Sequence, residues 1–176
     1  SEWVERFRGA VQRPDADATL LLMPAWTHPA TREAFCGVKV VSVFPGNAAH
    51  GVASVQGTYI LMNGATGVPL AAMDGARLTL HRTAAASALA SSYLSRQNIA
   101  SMVMVGAGAL AGPLIRAHKS VRPSIKNITV WNHKLQRVPD FLKSLHDDPA
   151  LRDIHFTVAE DLKGAVQQTD LVSCAT

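Results

Sequence analysis

Met102-Val103-Met104-Val105-Gly106-Ala107-Gly108-Ala109-Leu110-Ala111 is an apolar strand that runs through two glycines into a helix. In such a turn the first glycine permits a tight bend, and the second lets backbone approach a pyrophosphate. The small third residue, here Ala111, brings helix and strand close together. The helix start at Ala109 and Leu110 offers N–H groups without intrahelical partners, which suits phosphate. Because a strand precedes the glycines and a helix follows them, the phrase predicts a dinucleotide site at Gly106, Gly108, Ala109 and Leu110.

Towards the C-terminus the same alternation continues. Strands are predicted over 101–105, 127–131, 154–158 and 170–174, with helices over 109–120, 135–146 and 160–168 between them. This β-α-β-α-β-α-β order is the signature of a parallel sheet with helices on its faces. Sites for NAD usually carry Asp or Glu about 20 residues beyond the glycines, to hold the ribose 2′-hydroxyl. Here that place reads Val130-Trp131-Asn132-His133-Lys134, with Arg137 shortly after. Asn132, His133, Lys134 and Arg137 supply donors and positive charge for a 2′-phosphate, which favours NADPH. Lys134 and Arg137 also read as an ordinary solvated helix face, which keeps NADH open. The end of the last strand, Cys174, Ala175 and Thr176, belongs to the same expected cofactor edge.

Towards the N-terminus the pattern changes. Helix formers fill 77–96, with Ala84, Ala85, Ala86, Ala88 and Ala90 giving a smooth surface for close packing. Before them, strand-like phrases alternate with turn signals. Thr19-Leu20-Leu21-Leu22-Met23 stops at Pro24, and Val38-Lys39-Val40-Val41-Ser42-Val43-Phe44 stops at Pro45-Gly46-Asn47. Asn63-Gly64 separates two further apolar runs, and Asn-Gly tolerates the positive φ of a tight hairpin. Residues 19–73 thus read as an antiparallel meander. Glu2-Trp3-Val4-Glu5-Arg6-Phe7 reads as helical. The fold class is α/β, with an antiparallel-rich domain over 1–96 followed by a parallel nucleotide-binding domain over 97–176. Both domains are expected to be truncated, since the chain opens within one element and closes on another.

Composition excludes several classes. The 176 residues are 48% apolar, so disorder and low-complexity readings fail. The net charge of +4 is spread along the chain, which argues against a nucleic-acid partner. The longest uncharged run worth testing as a membrane span, 99–115, contains Gly106, Gly108, Gly112 and Pro113 and reads as a turn and helix start, so no membrane partner is expected. Cys36 and Cys174 form neither a redox pair nor a metal motif, and a reducing, cytoplasmic setting is expected. No metal site is expected.

Three cations stand where the local pattern would not ask for charge. Lys39 interrupts an apolar strand, Arg82 sits at the start of the small-residue helix against the helix dipole, and Arg13 lies just before the first strand. A cation in apolar surroundings needs a partner or awaits an anion, so Lys39 suggests an anionic substrate group. A structural lysine snorkelling from a sheet edge is the alternative. The histidines at 28, 50, 118, 133, 146 and 155 read as surface or boundary residues, while His81 lies next to Arg82 near the expected cleft. Trp26 and Phe44 are expected in the core, the alternative being that they flatten against a substrate ring.

Leu22-Met23-Pro24-Ala25-Trp26, Gly37-Val38-Lys39-Val40-Val41, Phe44-Pro45-Gly46-Asn47, Thr66-Gly67-Val68-Pro69-Leu70-Ala71 and Leu78-Thr79-Leu80-His81-Arg82-Thr83-Ala84-Ala85-Ala86-Ser87 precede the glycine turn in a set order. In order and spacing, from about Arg13 to Thr176, these phrases resemble the ornithine cyclodeaminase/μ-crystallin family. The resemblance implies a dimerising substrate domain and a Rossmann domain for NAD(P), assembled as a homodimer. It implies that Lys39, Arg82 and Arg13 hold a substrate carboxylate, with Lys39 as the catalytic candidate. It places Ser54 at the substrate and Thr83 at the cofactor phosphates. Ornithine cyclodeaminases carry Glu two residues before the Met-Pro pair, where this chain has Leu21. That departure resembles the branch reducing cyclic ketimine carboxylates, Δ1-pyrroline-2-carboxylate or Δ1-piperideine-2-carboxylate, to proline or pipecolate. An ornithine cyclodeaminase and a non-enzymatic NADPH-dependent binding protein are the alternatives. The family's acidic residue for proton handling falls beyond Thr176.

Overall fold

The computed structural model describes residues 5–6, 9–13, 17–28 and 33–175. The chain divides into two compact units, Ser1–Thr79 and Leu80–Thr176. The sequence reading puts a domain boundary after Arg96, whereas the compact units part inside a helix. The reason is the burial of Ala84 in the core of the second unit.

The first unit is an antiparallel sheet of six strands, ordered β1-β3-β4-β5-β6 with β2 also on β3. Its strands are β1 (Glu5–Arg6), β2 (Gly9–Gln12), β3 (Thr19–Trp26), β4 (Phe35–Val43), β5 (Val55–Asn63) and β6 (Pro69–Asp74). The meander expected over 19–73 is present. The Asn63-Gly64 signal forms its hairpin, with Asn63 Oδ1 accepting from the N–H groups of Ala65 and Thr66 at 2.9 and 3.0 Å. Glu5 and Arg6, expected to be helical, instead pair with Trp26 and Ala25. An open strand edge offers backbone partners that a single helical turn cannot match.

β3 also continues through Pro24, where the sequence suggests a stop. Among the described pairs, β1 ends opposite Ala25 and β2 begins opposite Leu22. Pro24 stays in the β3–β4 ladder, opposite Val38. Trp26 is 56% exposed and Phe44 is 38% exposed, so neither joins the core expected of it.

Helix α1 (Gly75–Leu94) starts two residues earlier than the sequence suggests, because Asp74 Oδ1 accepts from the N–H groups of Ala76 and Arg77 at 2.8 and 3.0 Å. Gly75 sits directly on Gly57 of β5. A Cβ on Gly75 would stand 2.8 Å from the Gly57 carbonyl carbon, so only glycine allows that approach.

The second unit carries a parallel sheet of four strands in the order β10-β7-β8-β9. The strands β7 (Ser101–Val105), β8 (Asn127–Trp131), β9 (His155–Val158) and β10 (Leu171–Cys174) alternate with α2 (Ala111–Val121), α3 (Val138–Leu145) and α4 (Leu162–Gln167). Met102, Met104, Ile128 and Val130 of the sheet are buried with Leu114 and Ile115 of α2 and Val138 and Leu145 of α3. Asp170 fastens β10 beside β7. Its carboxylate accepts from the N–H groups of Ala100 (2.9 Å) and Ser101 (3.1 Å), from the Ser101 hydroxyl (2.9 Å) and from Arg96 (2.5 Å). Among the described residues, no helix is long and apolar enough to cross a membrane.

Candidate functional site

The strand order reverses at β7, which has β8 on one side and β10 on the other. In open α/β sheets, ligands bind outside the carboxyl ends of the strands at such a reversal. Here those ends carry the glycine turn. Gly106 has φ of 111°, a conformation side-chain-bearing residues avoid, and its N–H donates to the Trp131 carbonyl at 2.7 Å. The Ala175 N–H donates to the Val105 carbonyl at 2.8 Å, closing the other side. Cys174 at the end of β10 is exposed, and Thr176 lies outside the described residues.

Past Gly106 the turn opens to solvent. Gly108 and Ala109 are exposed, and a Cβ added to Gly108 would meet nothing within 4 Å. The Ala111 N–H donates to the Gly108 carbonyl at 3.0 Å and starts α2, and Ala111 itself is buried, as the close packing of helix on strand requires. Leu110 at the helix start provides no side-chain cap, and the first turn holds no acidic residue. The positive end of α2 is thus free for an anion.

Beside this turn is a cavity of about 360 Å³, lined among others by Gly108, Ala109, Gly112, Arg137 and Phe141. Arg116 also lines it but is paired with Asp148. Arg137 is exposed and forms no ion pair among the described residues. His133 and Lys134 are exposed, whereas Asn132 is buried and its amide donates to the Lys134 carbonyl at 2.9 Å. Asn132 therefore holds the turn after β8, and the cations around it face solvent. An uncapped helix start and an open glycine face fit the diphosphate of a dinucleotide, with the Arg137 guanidinium beside them. No cluster of metal-binding side chains occurs among the described residues.

The remaining candidates fall on other elements. Lys39 is partly buried on β4, between β3 and β5, so it does not lie at a sheet edge. Its ammonium donates to the Thr79 hydroxyl, which donates to the Gly75 carbonyl at 2.7 Å. Arg82 and Thr83 follow on α1, exposed and partly buried respectively. Arg82 stands about two turns into the helix, not at its start, so the dipole argument made from sequence does not apply to it. Arg13 follows β2 instead of preceding the first strand, and its N–H donates to the Ala18 carbonyl at 2.9 Å. Ser54 is partly buried, with its hydroxyl 3.5 Å from the Pro45 carbonyl.

Two side chains of the second unit escape the sequence reading. His118, expected at the surface, is 3% exposed; its Nε2 lies 3.1 Å from the Ser87 hydroxyl, and burial holds its pKa below the usual histidine value. Arg122, also 3% exposed, donates to the carbonyls of Ser91, Ser92, Ser95 and Arg96 at the end of α1. The serines at 87, 91 and 95, spaced by four like His118 and Arg122, are the signal that points to this pairing.

Residues 4–176 match the ornithine cyclodeaminase/mu-crystallin family. The chain belongs to that family. Protein SAR DEFICIENT 4 of Arabidopsis thaliana is 38% identical over 90% of this chain and 49% of its own length. A Δ1-pyrroline-2-carboxylate reductase of Paracoccus denitrificans is 36% identical over 80% of the chain and 43% of its own length. Among solved structures, the Δ1-pyrroline-2-carboxylate reductase of Thermococcus litoralis, in complex with NADH and L-proline, is 28% identical with a TM-score of 0.81. That likeness covers 98% of this chain and 52% of the other. The family member described here thus spans about half the length of the relatives it matches. The match agrees with the fold expected from sequence, an antiparallel sheet followed by a parallel nucleotide-binding sheet.

Proposed function

We propose that the protein carrying this chain reduces a cyclic ketimine carboxylate, Δ1-pyrroline-2-carboxylate or Δ1-piperideine-2-carboxylate, with a reduced nicotinamide dinucleotide. The observation that carries this reading is Lys39, a cation fixed on an inner strand by a hydrogen bond to the first turn of the helix that bears Arg82. It is supported by similarity to reductases of that name, one of them holding NADH and L-proline.

Gly106, Gly108, Ala109 and Leu110 hold the diphosphate, with Thr83 at the phosphates and Cys174 and Ala175 at the end of β10 also at the cofactor. A bound nicotinamide supplies the hydride. Lys39, Arg82 and Arg13 are assigned to the substrate carboxylate, and Ser54 to the substrate as well. Fixing the ring through its carboxylate sets the imine carbon in one orientation and removes much of the entropic barrier. Leu21, partly buried on β3, offers no carboxylate to a distal ammonium, which supports a cyclic imine over ornithine. Arg137, free beside Gly108, supports NADPH, with NADH as the second cofactor. The assembly is proposed to be a homodimer.

The test is an assay of the full-length protein with five- and six-membered cyclic imino acids and both reduced cofactors. Cofactor oxidation that depends on the imine is expected. Ammonia release from ornithine without added reductant, or ligand binding without turnover, would overturn the proposal.

A further inference from the structure

Helix α1 meets α2 through polar contacts at one constant offset. Ser87 faces His118 and Ser91 faces Arg122, each pair 31 residues apart. The two helices therefore run side by side in the same direction over this stretch. The Arg122 guanidinium closes the ladder by taking the last carbonyls of α1, at 3.0 Å from Ser91, 2.8 Å from Ser92, 3.0 Å from Ser95 and 3.0 Å from Arg96. The Ser91 carbonyl also accepts from the Ser95 N–H at 3.0 Å, whereas the last carbonyls of a helix are left without intrahelical donors. The Ser95 hydroxyl accepts a further bond from Arg122 at 3.0 Å.

Ala84 and Ala88 are buried on α1 and line a groove with Pro113 and Ala117 of α2. Alanines pack closely but specify no axial position. A shift of α1 along α2 would strip the buried Arg122 charge of its carbonyls, a loss far costlier than repacking alanines. His118 adds a second check, since its Nδ1 is buried without a partner among the described residues and Ser87 supplies the ring's hydrogen bond. Such a half-satisfied polar group contributes little stability but discriminates strongly between registers.

We propose that the ladder of Ser87, Ser91 and Ser95 against His118 and Arg122 sets the register of α1 on the nucleotide-binding helix, and so makes His118 and Arg122 positioning residues for the cofactor. One turn earlier, the same offset of 31 residues sets Thr83 level with Leu114, whose N–H donates to Leu110 at the glycine turn. A groove lined by His81 and Ala84 on α1 and by Pro113 in the first turn of α2 supports that alignment. The inference rests on the dinucleotide reading above.

The test uses Ser87→Ala, His118→Leu and the double variant of the full-length protein, since removing Arg122 outright endangers folding. NADH and NADPH affinities are measured well below the melting temperature, together with amide hydrogen exchange over residues 80–94. Each single variant is expected to weaken dinucleotide binding about 3- to 10-fold. The double variant should be no worse than the worse single one, because both remove one contact. Exchange over α1 should accelerate in the same variants. Folded variants with unchanged affinity and exchange, or with only a lowered melting temperature, overturn the ladder. A wild-type protein that binds neither dinucleotide overturns the proposed function and the cofactor role of the ladder with it, whereas unchanged affinity in variants of a protein that does bind overturns the ladder alone.

Discussion

The Lys39 ammonium donates a hydrogen bond to the Thr79 hydroxyl, and Thr79 in turn donates to the Gly75 carbonyl at 2.7 Å. A cation on an inner strand is thereby fixed to the first turn of α1, where Gly75 rests on Gly57. The side chain has a set direction before any substrate arrives, so little ordering remains to be done on binding.

Lys39→Ala is expected to raise KM for the cyclic imine by roughly 30-fold or more, since truncating one partner of a buried charge pair costs about 2–5 kcal/mol. Thr79→Val keeps the charge and loses only the orienting hydroxyl, so its effect should be several-fold smaller. Steady-state kinetics of both variants decide the matter. Unchanged KM and kcat in Lys39→Ala would remove Lys39 from the site.

Gly106 and Gly108 should respond in opposite ways to a side chain. At Gly106 the φ of 111° strains any other residue, so Gly106→Ala should lower the melting temperature as well as dinucleotide affinity. At Gly108 a Cβ meets nothing within 4 Å, so Gly108→Val should change stability by no more than about 0.5 kcal/mol. Its affinity for the dinucleotide should nevertheless fall about tenfold or more, because the added group occupies space a pyrophosphate needs. Thermal melts paired with fluorescence titration separate the two, and intact binding by Gly108→Val would move the phosphate site elsewhere.

Much of this was legible in the chain because it is local. The βα turn at 105–111 reads from seven consecutive residues, and the strands 101–105 and 127–131 lie where periodicity puts them. What escaped depends on neighbours remote in sequence. Glu5 and Arg6 carry helical local character, yet an open edge of β3 recruits them. Arg122, a basic residue just past a helix end, looks like any solvated charge until the carbonyls of α1, 26 to 31 positions away, surround it. His118 is hidden for the same reason. The cation set was recognisable as unusual from its apolar context at Lys39, but the hydroxyl that fixes it lies 40 positions away.

Acid should destabilise the second unit in two stages. Burial lowers the His118 pKa below 6.5, so the unfolded chain binds that proton more readily than the folded one. Stability is then full above about pH 6.5 and falls as pH drops through the folded value. Asp170 follows lower down. Hydrogen bonds from Ala100 N–H and from Ser101 hold its carboxyl below 3.8, so its contribution is present above that value and lost as pH falls further. His118→Leu should abolish the upper stage only, and Asp170→Asn should weaken β10 against β7 near neutral pH and abolish the lower stage. Melting temperatures between pH 7.5 and 3 would reveal both, and an upper stage that survives in His118→Leu would assign it to another group.

Arg137 should set the choice between the two cofactors. It lines the cavity beside Gly108 and Ala109 without an ion pair among the described residues, whereas the neighbouring Arg116 is committed to Asp148. The buried Asn132, at the place where an acidic residue would hold a ribose hydroxyl, spends its amide on the Lys134 carbonyl and neither repels nor pairs with a phosphate. Hydrogen bonds to a charged group contribute about 1.5–3 kcal/mol, which corresponds to about 10- to 100-fold in affinity. Arg137→Ser is therefore expected to weaken NADPH by about that factor and leave NADH within twofold, while Lys134→Ser, farther from the cavity lining, should shift the ratio less. Competitive titration with the two cofactors measures the ratio directly. Equal losses for both would show that Arg137 acts on the shared diphosphate and carries no selectivity.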